Sequence, residues 1–169
     1  WIRGEFTGHM TMTSDKNWEQ LKQSYTTFIM EYAMLAESTK TEIFCIGTEL
    51  EAFVKYDSKY WLGLIKKIKS VYSGKLTYAA NWDEYYKIPF WDQLDYIGID
   101  AYFPVSNAQT PLVEECLNAW QLHKKAIKTV SDKFNKPILF TEFGYRSVDF
   151  SGREPWKSDR YKSTANLIA

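Results

Sequence analysis

The sequence is poor in the residues that build metal centres and disulfide frameworks. Only two Cys and two His occur in 169 residues. Cys45 sits inside an apolar run and Cys116 on a helical pattern, so no disulfide framework is implied. No pair has zinc-ligand spacing. His9 and His123 stand far apart, His123 on the apolar side of a helix, and both read as structural. An excess of one charge is also missing, because 21 Lys plus Arg balance 21 Asp plus Glu. That balance gives no electrostatic reason to expect nucleic acid or an anionic membrane surface. No apolar run approaches the roughly 20 residues of a spanning helix. No signal peptide is visible, and residue 1 is not Met, so localisation stays undecided.

Aromatic residues are what the sequence has in excess: seven Trp, twelve Tyr and ten Phe. Rings fill cores, and they also form the flat amphipathic platforms on which sugar rings stack. Composition alone favours the core.

Hydrophobic periodicity organises the rest. Ser14 or Asp15 caps a helix whose inner face is Trp18, Leu21, Tyr25, Phe28, Ile29, Tyr32 and Leu35. "EIFCIG", residues 42 to 47, is too short for a helix and reads as a buried strand. A helix from about Ser58 carries Trp61, Leu64, Ile65, Ile68 and Val71 on one side and ends at Gly74. Strands follow at "KLTYAAN" (75 to 81) and "LDYIGIDAYF" (94 to 103), with a short helix between them. Thr110 and Pro111 then start a long helix as N-cap and first helical residue. Its buried face is Cys116, Trp120, His123, Ile127, Val130 and Phe134. The last strand is "PILFTEF".

Alternating helices and strands imply parallel strands with crossover helices, and near-continuous apolar strands imply two covered faces. An open doubly wound sheet would bring a Gly-rich phosphate loop after a strand, and none is present. The expected fold is therefore an α/β (β/α)8 TIM barrel. A complete barrel has eight strands and typically about 250 residues, and four strands are legible here. The expectation is one catalytic barrel domain over 1–169, truncated at both ends. Four strands cannot close, so the outer two should present unpaired backbone and apolar faces should stay uncovered.

Chemistry in such a barrel sits at the C-terminal strand ends. The strands deliver Glu49, then Asn81 and Trp82, then Asp100 and Tyr102, then Glu142. Two carboxylates among aromatics form the constellation of glycoside hydrolysis, one protonated to release the leaving oxygen and one ionised to attack or to activate water. Glu51 competes with Glu49, being on the same face by alternation, and Asp100 competes as well. Trp82 and Trp91 fit either a sugar platform or a core plug. Tyr102 fits either a role at the site or packing. Gly144 would let the chain turn away from a sugar, or mark a plain turn.

The set "IGTELE", "AANWDEY", "LDYIGIDAYFP" and "PILFTEFGYRS" resembles clan A glycoside hydrolases and looks closest to glycoside hydrolase family 113, the β-mannanases. The resemblance runs from "WIRGEF" to "GYRSVDFSGREPW" and covers about strands 4 to 7. It implies a retaining double displacement on β-1,4-mannosidic bonds, with Glu49 as acid/base and Glu142 as nucleophile. Tyr102 would hydrogen-bond Glu142 and hold it ionised. Asn81 and Trp82 would line the sugar subsites, with Trp1 and Arg3 on the loop after strand three. The implied partner is an oligo- or polysaccharide, with no cofactor, metal, nucleic acid or membrane, and a monomer is expected. Thr48 stands where much of the clan has Asn, which removes a clan-level check. Two other readings are a glucanase-type β-glycosidase of the same clan and a non-catalytic carbohydrate-binding relic. The presence of both glutamates argues against the relic.

Overall fold

The structure, a computed structural model, describes residues 6–157. Four strands, β1 (Ile43–Thr48), β2 (Lys75–Asn81), β3 (Ile97–Asp100) and β4 (Ile138–Glu142), alternate with α1 (Asp15–Ser38), α2 (Glu51–Tyr56), α3 (Ser58–Lys69) and α4 (Val113–Phe134). Single 3-10 turns occur at Thr7–His9, Tyr85–Lys87 and Trp91–Gln93. The sheet is parallel throughout, in the order β1-β2-β3-β4. Each strand lies beside its sequence neighbour and the order never reverses. A doubly wound sheet would have a switch point, whereas this succession is that of a (β/α)8 barrel wall. Among the described residues β1 and β4 each have one paired edge.

Local chemistry explains the element ends. The Ser14 hydroxyl accepts the Asn17 N–H at 3.2 Å and caps α1. Asp57 does the same for α3 through the Tyr60 N–H, at 2.9 Å. Asn135, in the left-handed region at φ 52°, closes α4. At Gly98 an added Cβ would lie 2.2 Å from the Tyr78 carbonyl oxygen and 2.6 Å from Thr77 Oγ1. Only glycine lets β3 come that close to β2.

The core lies between the sheet and its helices. Trp61, Phe53, Tyr78, Phe90 and Trp91 are fully buried. Trp91 is therefore a core plug, and its indole N–H donates to the Tyr85 carbonyl at 2.7 Å.

Several expectations are corrected. On α1 the buried residues are Trp18, Ile29, Ala33 and Ala36, while Phe28, Tyr32 and Leu35 are half exposed. The apolar stripe is wider than the surface that β1 and α3 cover. On α4 only Ile127 and Val130 are buried, and Cys116, Trp120, His123 and Phe134 are partly exposed. That helix starts at Val113 behind Leu112, with no side-chain cap. Thr110, the residue before a proline, is biased out of helical conformation, and Glu114 and Glu115 in the first turn complement the helix dipole instead. Helix α3 stops at Lys69, ahead of Gly74, because the Ser73 N–H turns to the Glu37 carboxylate at 2.8 Å. Strand β3 is shorter than the pattern over 94 to 103. Asp95 instead uses its carboxylate to accept the Leu76 N–H, and beyond Asp100 the Tyr102 N–H folds back onto the Asp100 carbonyl. Helix α2, only six residues long, has no counterpart among the expected elements.

Candidate active site

Strand register decides what meets at the C-terminal rim. Asn81 pairs with Asp100 and Asp100 with Glu142, the latter after a register shift between Ile99 and Asp100. On the other side the Glu49 N–H reaches the Ala79 carbonyl at 2.8 Å. Glu49 then takes φ 50°, a left-handed conformation that a non-glycine residue seldom adopts. Strain of this kind persists where the surroundings enforce it, and it tends to cluster at functional sites. Here it ends β1 abruptly and presents the carboxylate at the strand tip.

A cleft of about 770 Å³ opens at this rim, lined by Glu49, Asn81, Trp82, Tyr102 and Glu142. These are five of the seven residues to which the family resemblance assigns a role. Trp1 and Arg3 lie outside the described residues. The Tyr102 hydroxyl donates to Glu142 Oε2 at 2.9 Å. The Asn81 side-chain oxygen accepts the Trp82 N–H at 2.8 Å, fixing the amide against its own loop.

Both competing carboxylates are elsewhere. Glu51 belongs to α2 and pairs with Lys87 at 2.7 Å, lining a separate hollow. Asp100 is buried behind the cleft wall. One of its oxygens accepts the Thr141 hydroxyl at 2.7 Å, and among the described residues the other has no hydrogen-bond partner.

The electrostatics follow from crowding of acids in a half-buried place. Burial first, then the charges of Asp100, Glu142, Glu84 and Asp83, push Glu49 up to about 7. Burial pushes Asp100 up to about 6, with Glu142 adding to the rise and the Thr141 hydrogen bond opposing it. Burial likewise raises Glu84 to about 7. Tyr102 is pushed up chiefly by its hydrogen bond to Glu142, so it stays a neutral donor.

A stability signature follows. These three carboxyls bind protons more tightly folded than unfolded, so their contribution is complete below the unfolded carboxylate range. It is lost as pH rises through about 6 to 7. Glu37, Asp57 and Asp95 are held below their usual range, and their contribution is lost only on further acidification. The midpoint of thermal unfolding is therefore expected to peak at mildly acid pH and fall between about pH 5 and 7.5. A midpoint that rises across that window would contradict the buried-acid cluster.

The cleft also contains residues the sequence reading did not assign to it: Phe6, His9, Asp83, Tyr145, Arg146 and Trp156. His9, structural by its isolation in the sequence, lines the cleft instead, its ring meeting Phe6 edge-on at 5.1 Å. Trp156 stacks on Trp82 with centroids 5.3 Å apart and planes 20° apart. Trp82 is thus a wall of the cleft. The signal for Trp156 was available in "GREPW", an aromatic in a polar, turn-forming stretch. Gly144 lines the cleft without left-handed backbone, and an added Cβ would meet only the Tyr102 ring, at 4.0 Å. Neither backbone nor crowding demands glycine there. Among the described residues, no group of three or more His, Cys, Asp or Glu is placed to hold a metal ion.

Comparison with known proteins gives this geometry its context. No curated protein sequence is significantly similar to the chain. Solved structures are, and three of them show the relation. One is a β-mannanase, AaManA from Alicyclobacillus acidocaldarius in complex with ManMIm, at 26% identity and a TM-score of 0.79, over 91% of this chain and 47% of that one. Another is a β-1,4-mannanase complex at 26% identity and a TM-score of 0.79, over 94% and 49%. A third is a β-1,4-mannanase at 28% identity and a TM-score of 0.74, over 90% and 45%. The chain spans about half the length of these structures, so they share the barrel fold with it over that part. The model of Glycoside Hydrolase Family 113 matches residues 3–166. With a match over nearly the whole chain, and with two glutamates at strand tips sharing one cleft with a tryptophan pair, the chain belongs to glycoside hydrolase family 113.

Proposed function

We propose that the chain carries the catalytic carboxylates of a retaining glycoside hydrolase acting on β-1,4-mannosidic bonds. The observation that supports this best is the pairing, in one cleft, of a carboxyl held up near 7 with a carboxylate bonded by a tyrosine. In the first step Glu142 attacks the anomeric carbon. The glycosidic C–O bond breaks, and Glu49 gives its proton to the departing oxygen, leaving a glycosyl ester on Glu142. In the second step Glu49, now ionised, takes a proton from water. The water oxygen attacks the anomeric carbon and the ester bond breaks, restoring both groups. Retention calls for carboxyl groups about 5–5.5 Å apart. Tyr102 keeps Glu142 oriented, while Asn81 and Trp82 hold the sugar. Trp1 and Arg3 are assigned to the same surface.

The test is hydrolysis of mannan and cello-oligosaccharides by the full-length protein, with the first-formed anomer followed by NMR. Mannan should be cleaved with retention. Because Glu49 must hold its proton in the first step, kcat/KM should fall tenfold per pH unit above about 7. Activity on cello-oligosaccharides alone would favour a glucanase. An inverted product would remove the nucleophile role from Glu142.

A further inference from the structure

We propose that Glu84 is a positioning residue, whose buried carboxylate acts through Tyr78 to fix the backbone that turns Glu49 into the cleft. The proposal rests on the reading of Glu49 as the acid/base. It starts from four hydrogen-bonding groups whose directions are fixed once Glu84 is ionised, above about pH 7. The Leu50 N–H donates to the Tyr78 hydroxyl at 2.6 Å. That hydroxyl has one proton and gives it to Glu84 Oε1 at 2.9 Å. Glu84 Oε2 accepts the Asn81 N–H at 3.1 Å. The relay therefore begins one residue after Glu49 and ends on the backbone of Asn81, tying the tips of β1 and β2 together. Tyr78 and Glu84 are both fully buried, so water cannot stand in for either.

The strain at Glu49 gives the relay its task. A glutamate at φ 50° relaxes toward extended backbone unless its neighbours prevent it. The Ala79 carbonyl holds the N–H of Glu49 itself, and Tyr78 holds the N–H of the next residue. A carboxylate is the one side chain that accepts from both Tyr78 and Asn81. An amide in its place turns an NH2 group toward one of two donors. Glu84 also adds negative charge near Glu49, together with Asp100, Glu142 and Asp83. The charged and titratable groups facing Glu84 are Tyr78, Glu49, Glu51 and Asp83, with Lys87 held on Glu51.

The experiment uses the full-length protein, wild type, Glu84→Gln and Tyr78→Phe. In wild type the Tyr78 hydroxyl proton should exchange slowly enough to be seen by NMR, close to the Leu50 amide. In both variants the Leu50 amide should lose protection from hydrogen exchange while the amides of Ile46 and Ala80 keep theirs. On mannan oligosaccharides kcat should drop about 10- to 100-fold, as for outer-shell partners in other sites, with KM within about twofold. The double variant should be no worse than the poorer single one, because both cut the same relay. Glu84→Gln alone should also move the alkaline limb of kcat/KM to lower pH, since a negative neighbour of Glu49 is gone. An invisible Tyr78 hydroxyl proton in wild type, an unchanged Leu50 amide, or additive losses would overturn the proposal. If wild type cleaves no mannan while Leu50 still follows Tyr78 and Glu84, the mannanase reading falls and the tie between the strand tips stands.

Discussion

Glu142→Ala is expected to stop turnover of mannan, and added azide is expected to restore cleavage of an activated aryl β-mannoside with an α-mannosyl azide as product. The reasoning is geometric. Without the carboxylate, no group attacks the anomeric carbon, and the vacated space admits a small anion on that face. Azide bonds to carbon, the aryl oxygen leaves with the proton from Glu49, and one displacement gives inversion. Glu49→Ala should behave in the opposite sense. Its loss on mannan should be about 10²- to 10⁴-fold, the usual scale of a general acid. An activated leaving group needs no proton, so the ester on Glu142 still forms. Azide then takes the place of water and gives the β-azide. The two product configurations separate the roles, which a simple loss of activity cannot do. If the configurations are exchanged, the roles of Glu49 and Glu142 are exchanged. If neither substitution impairs turnover, the cleft is not the active site.

The largest expected effect on stability lies away from the cleft. Trp61 is fully buried and meets Tyr25, Phe53, Tyr78 and Phe90, with Phe90 stacked at 5.6 Å and 18°. Trp61→Ala removes the ring on which α1, α2 and β2 converge, and should cost about 3–5 kcal/mol. For a chain of this size that lowers the unfolding midpoint by roughly 10 °C. Trp61→Phe should cost under about 2 kcal/mol, because most of the ring volume stays. The indole nitrogen also has no hydrogen-bond partner among the described residues, so its loss leaves nothing unsatisfied. Urea unfolding of the two variants checks both figures. Equal losses would mean that packing around this ring is not what holds the aromatic cluster. Tyr78 touches Trp61 and also anchors Leu50, so damage to the core should reach the strand tip that carries Glu49.

The edges of the sheet carry a related consequence. Phe140 and Phe143 on and after β4 are exposed, as are Leu112, Val113, Leu117 and Leu122 on or beside α4. In an eight-stranded barrel such faces are covered by neighbouring strands and helices. Over the half of each solved relative that the chain matches, the fold is shared.

The sequence by itself determined the parallel strands and the carboxylates at their tips. Both are written in short-range signals: apolar runs too short for helices, and polar residues placed immediately after them. It also determined the extent of β2 and narrowed the α1 cap to Ser14 or Asp15, of which the structure uses Ser14. Other features depended on tertiary structure. Glu49 and Glu51 alternate onto the same face in an ideal strand, and only the left-handed turn at Glu49 separates them, sending Glu51 into α2 and onto Lys87. Trp82 and Trp91 are equivalent as letters, yet one walls the cleft and the other is fully buried in the core. The fate of a ring depends on which element packs over it, which is information from distant parts of the chain. Glu84 shows the same limit most clearly. A glutamate in a loop reads as solvated, and its burial beside Tyr78 depends on a distant segment, with Val54 and Lys55 of α2 beside it and Leu50 on the Tyr78 hydroxyl. Register with neighbouring strands and enclosure by distant side chains are long-range properties, and no local pattern encodes them.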